Sequence, residues 1–144
     1  DHYLWEKELE KDQANQNKAI INYTFRPNRS IEHLYPQTSD KPWVEKDLHS
    51  FGNLAMISPG FNSTQSNDDI LVKFARIEKQ IRGPYLLENI KLLFMYQKGN
   101  GKEWTIELAK EHEKEMIQIL ADSFPQGHVC NDALNSMIQN QQDN

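Results

Sequence analysis

The chain has 144 residues, a mass of 16.9 kDa and a formal net charge of −5, enough for one domain with one sizeable core. With 38% hydrophobic and 26% charged residues and a mean hydropathy of −0.79, it has no apolar run near the ~20 residues of a membrane helix and no basic start leading into a signal-like stretch. The single Cys130 excludes an internal disulfide framework and a cysteine-only metal site.

In chain order, residues 3–18 read as a helix in which Trp5 and Leu9 share a thin apolar face. So thin a stripe suggests packing on something outside this segment. Together with a start at Asp1 rather than Met, it makes residues 1–18 read as the end of an upstream region. Residues 19–25 are β-branched and aromatic and read as extended. After the break at Arg26-Pro27, residues 30–34 read as a short strand and residues 35–42, with Pro36 and Pro42, as a loop. A short helix over 43–50 precedes a second strand at 54–57, and Ser58-Pro59-Gly60 turns the chain. Residues 67–82 place Ile70, Leu71, Phe74, Ile77 and Ile81 at helical spacing, and Gly83-Pro84 ends that helix. Residues 85–97 repeat the pattern with Leu86, Leu87, Ile90, Leu93 and Phe94. Past the Gly99-Asn100-Gly101 loop, Thr105 is the expected N-cap of a helix to about residue 122, with Glu107–Lys110 and Glu111–Lys114 pairs on its wet side. The division expected is an N-terminal helix (1–18), a main domain (19–125) and a polar C-terminal tail (126–144).

Charge is unevenly spread. Residues 1–12 carry five acids and two lysines, and residues 103–122 carry six acids and two lysines. Residues 73–102 carry seven bases and two acids. Lys73, Arg76, Lys79 and Arg82 recur every three residues and precess into a broad basic band on one helix. Such a band can meet backbone phosphates without reading sequence, or be an ordinary solvated face.

One ordered set of residues stands apart: Glu32-His33-Leu34-Tyr35-Pro36-Gln37, then Gly52-Asn53-Leu54, Asn62, Ser66-Asn67 and Lys73. It resembles the HNH, or His-Me finger, nucleases with a ββα-metal fold. More closely, it is similar to the HNH domain at the C-terminal end of GmrSD-like, modification-dependent restriction proteins of phage defence, over roughly residues 20–120. The resemblance implies an α+β fold, with a small ββα-metal motif embedded in a mostly α-helical domain. It implies a catalytic pair, His33 as general base and Asn53 tying the strand–loop geometry and orienting that base. Glu32 and Asn62 would ligate a divalent metal, and an oxygen-rich set suits Mg²⁺ or Mn²⁺. Lys73, Arg76 and Asn67 would contact nucleic acid. The partners implied are DNA and an upstream NTP-binding, ParB-like domain on a longer chain or a second subunit, and the expected compartment is the cytoplasm.

Each residue also has a plainer reading. Asn53 after Gly52 can be turn chemistry, Asn62 can cap the following helix, and Glu32 can pair with Arg26 or Arg29. On an ideal strand Glu32 and His33 point to opposite faces, so both serve one site only if the strand end twists. His112 reads as a surface residue, because Met116 stands where an HExxH motif needs its second histidine, and His2, His49 and His128 have no evident partners. Trp5, Trp43 and Trp104 read as packing residues. Two rival functions remain open: a degenerate HNH domain that binds nucleic acid or a partner without cutting, and an oligomerisation module built on the later helices.

Overall fold

The computed structural model describes residues 1–63, 69–83 and 86–124, without the side chains of Asn62 and Ser63. Helix α1 (His2–Leu9), a 3-10 turn (Gln13–Asn15) and α2 (Lys18–Ile21) lead to strand β1 (Ser30–His33). Helix α3 (Glu45–Leu48), a second 3-10 turn (Phe51–Asn53) and β2 (Leu54–Ile57) follow. The chain then runs through α4 (Pro59–Ser63), α5 (Ile70–Arg82), α6 (Ile90–Lys98) and α7 (Ile106–Ser123). The α+β class read from the sequence is therefore observed. Among the described residues no helix is long and apolar enough to cross a membrane.

The strands pair antiparallel, Ser30 opposite Ile57 and His33 opposite Leu54. Alternation turns Glu32, Ala55 and Ile57 inward and leaves Ile31 and Met56 exposed on the outer face. Below the inner face, Leu34, Ala55 and Ile57 meet Phe74 and Ile77 of α5, Leu92 and Met95 of α6, and Trp104. A second apolar cluster joins Leu4 of α1, Ile20 of α2, Tyr23, Ile90 and Leu93 of α6, and Met116 of α7. Helix α6 lies between them, with Leu92 and Met95 on one side and Ile90 and Leu93 on the other. A helix buried all round in this way joins the two clusters into one body.

Several expectations change. Residues 3–18 are not one helix, because α1 ends at Leu9. Its buried stripe is Leu4 and Glu8, while Leu9 is 43% exposed. The Glu8 carboxylate accepts the Asn17 N–H at 2.6 Å, and the Asn17 side chain caps α2 by accepting from Ala19. This buried acid stops α1 and starts α2, a long-range tie that no periodicity reveals. Residues 18–21 are accordingly helical rather than extended, because tertiary contacts outweigh β-propensity. Finally, α5 begins at Ile70 with Asp69 as its N-cap, so Asn62 lies inside α4 and does not cap the following helix.

Thr105 caps α7 as expected, accepting from Leu108. The Lys110 charge acts on Glu107, as expected of that pair, and also reaches Asp47, while Lys98 joins Glu111 and Glu115. His112 is not on the surface but fully buried, edge-on to the Trp104 ring at 5.8 Å. The tail at 126–144, with Cys130 and His128, lies outside the described residues.

Candidate active site

Asn53 organises the loop between the strands. Its side chain is fully buried, and its Oδ1 accepts the Tyr35 N–H at 2.8 Å and the Trp104 indole N–H at 3.2 Å. Its Nδ2 donates to the Leu48 carbonyl at 2.9 Å. Its backbone carbonyl accepts the Leu34 N–H at 2.9 Å, and its N–H donates to Ser50. An amide is suited to this post because it both donates and accepts, where a carboxylate only accepts. The loop thus closes at both ends on one residue. Tyr35 lies two positions past His33, and Leu48 directly precedes His49, so Asn53 draws those two histidines together. Gly52 lets the turn carrying Asn53 meet α7, since a β-carbon there would collide with the Ala109 carbonyl.

The result at the surface is a histidine pair. His33 Nε2 lies 2.9 Å from His49 Nδ1, with the rings edge-on at 74° and their centroids 5.0 Å apart. His33 is half-buried at the end of β1, and His49 is exposed at the C-terminus of α3. Burial, then His49, then the Lys73 charge hold the His33 pKa below the ordinary imidazole value.

Beneath them sits a buried ion pair. Lys73, 1% exposed on α5, places its ammonium 2.5 Å from Glu32 Oε1 and donates to the His33 carbonyl oxygen at 2.6 Å. Glu32 is itself 3% exposed, so the pair is shielded from water. Strand alternation holds here: Glu32 faces inward, His33 faces the loop, and Lys73 connects them. The alternative pairing of Glu32 with Arg26 gives way, because Arg26 joins Glu88 at 3.3 Å.

Lys73, expected as a nucleic-acid contact, is buried in this structure, with its ammonium engaged by a carboxylate and a carbonyl. Steps of three residues turn 300° on a helix, so the basic series sweeps outward. Lys73 is buried, Arg76 half-buried, and Lys79 and Arg82 exposed, with Arg82 paired to Glu78. Asn67 and the side chain of Asn62 lie outside the described residues.

Of the two expected metal ligands, Glu32 is described and the side chain of Asn62 is not. Glu32 is matched by an ammonium, and no group of three or more His, Cys, Asp or Glu residues that could hold an ion occurs among the described residues. A cavity of about 740 Å³ opens between Tyr35–Lys41 and the start of α5. Asp40 and Asp69 outnumber Lys41 in its lining, which disfavours a phosphate backbone. Tyr35 is held there by stacking on Trp43 at 4.2 Å and by donating to the Lys41 carbonyl.

His49 is the residue that sequence reasoning missed. Its signal lay in the loop's closure: Asn53 bonds the residue before it, a contact invisible to spacing alone.

Together these features define a small α+β domain that presents a braced histidine at a hairpin end. The chain belongs to the family described as GmrSD restriction endonucleases, C-terminal domain, which it matches over residues 2–119. That membership points to nuclease activity in general. No curated protein and no solved structure matches the chain.

Proposed function

We propose that this domain is an HNH endonuclease that hydrolyses DNA phosphodiester bonds in anti-phage restriction in the cytoplasm, with His33 as its general base. The observation that carries the reading is the bracing of His33: Lys73 on its carbonyl, His49 on its ring, and Asn53 on the loop that follows. A pKa held below the usual imidazole value leaves His33 unprotonated at neutral pH and able to accept a proton. In the step proposed, a water proton passes to His33, the water oxygen bonds phosphorus, the P–O bond to the leaving sugar oxygen breaks, and that oxygen takes a proton from solvent water to leave as a hydroxyl. Phosphates would be met by exposed Lys79 and Arg82 and half-buried Arg76, and the resemblance also assigns nucleic-acid contact to Asn67, outside the described residues. Control of cutting would fall to an upstream NTP-binding, ParB-like domain.

The family resemblance implies Mg²⁺ or Mn²⁺, with Glu32 and Asn62 as its oxygen ligands, to neutralise charge at the phosphate. In this structure the Lys73 ammonium already meets Glu32 Oε1. That same occupancy supports a second reading, a degenerate domain that binds DNA without cutting. Nicking of supercoiled plasmid by the chain with Mg²⁺, Mn²⁺ or EDTA, alongside DNA binding across a salt series, separates the two. Slow nicking with little sequence preference supports the hydrolase. Salt-sensitive binding with no nicking under any condition favours the degenerate reading instead.

A further inference from the structure

Resting on the hydrolase reading, we propose that His49 is a positioning residue that fixes the tautomer of His33, with His33 Nε2–H donating to His49 Nδ1. At 2.9 Å the two nitrogens share one hydrogen bond. Two imidazoles on one zinc ion would stand about 3.3 Å apart, from bonds of ~2.0–2.1 Å at tetrahedral angles.

A hydrogen bond between two neutral imidazoles has one donor and one acceptor, and the direction decides what His33 can do. If His49 donated, His33 Nε2 would spend its lone pair on that bond and Nδ1 would carry the ring proton. His33 would then have no nitrogen left to accept a proton. If His33 donates, its Nε2 carries the proton and Nδ1 keeps a lone pair for the attacking water. A general base at position 33 therefore requires His49 to be the acceptor.

The fold supports this pairing from both sides. His49 follows α3, its N–H donating to the Glu45 carbonyl at 2.9 Å, and Asn53 holds the preceding Leu48. Lys73 fixes the backbone of His33 from below. The pair thus joins two anchored segments, and the sequence separation of 16 residues is closed by Asn53.

Nitrogen-15 NMR of the chain at about pH 8, where imidazoles are neutral, reads the tautomer directly. The expected result is an Nε2-protonated His33 with a scalar coupling across the bond to His49 Nδ1. In His49→Ala the coupling disappears, His33 becomes a tautomer mixture, and kcat for plasmid nicking falls about 10–100-fold with KM unchanged. His49→Asn restores much of both, since its amide oxygen stands near the lost Nδ1. An Nδ1-protonated His33 in the parent chain, or a tautomer unmoved by His49→Ala, overturns the inference. The tautomer is read whether or not the domain cuts. A parent chain with the expected coupling but no nicking sinks the hydrolase reading and leaves the tautomer result standing.

Discussion

Lys73 and Glu32 show how one residue pair can be costly and indispensable at once. Both charges are removed from water, so each is tolerable only through the other. Lys73→Met leaves an uncompensated buried carboxylate and should cost about 3–5 kcal/mol in urea denaturation. Glu32→Leu combined with Lys73→Met removes both charges and should recover a good part of that loss. A double variant no more stable than the single would show that the pair does not account for the cost. Asn53→Ala strands two N–H donors and a carbonyl in the interior, each worth about 1–3 kcal/mol. It should melt far below the parent, and a parent-like melting temperature would rule out its role as the loop's strut.

At the scale of elements, the strongly periodic segments were legible. Helices α5 and α7, the two strands and the Thr105 cap stand close to where pattern and capping chemistry put them. The segments that departed are those governed by distant partners. Buried Glu8 converts residues 1–21 into two helices, and Glu88 accepts the Ser58 N–H at 2.6 Å where the chain turns into α4. Within the candidate site, the order of motifs was legible, but the side of the helix was not. A cation every three residues looks like a surface band until the core fixes which face is inward. Gly52 belongs at this scale, because the turn bearing Asn53 can approach α7 only without a side chain. Gly52→Ala should push the turn off α7 and destabilise by roughly 2–4 kcal/mol. It should also weaken the His33–His49 coupling in NMR, whereas a purely local overpacking effect would leave that coupling intact.

Across the whole molecule, stability is tied to pH through a buried histidine that packs on Trp104. His112 is fully buried, and among the described residues neither ring nitrogen has a hydrogen-bond partner. Burial first, then the charges of Lys91 and Lys98, lower its pKa to about 3. The unfolded chain binds this proton near pH ~6.5, while the folded chain resists it until about pH 3. Stability contributed by His112 therefore falls as pH drops from about 6.5 towards 3, by several kcal/mol in all. His112→Phe should flatten this acid limb in melting curves taken from pH ~7 to ~4. An unchanged limb would mean that other groups carry it.

In the hydrolysis proposed, a braced His33 takes the proton from water. Nicking of supercoiled DNA by the parent chain and by His33→Ala, with equal folding verified by circular dichroism, tests it most directly. The alanine variant should bind DNA as the parent does and nick about 10²–10⁴-fold more slowly. Nicking at the parent rate would remove His33 from the chemistry.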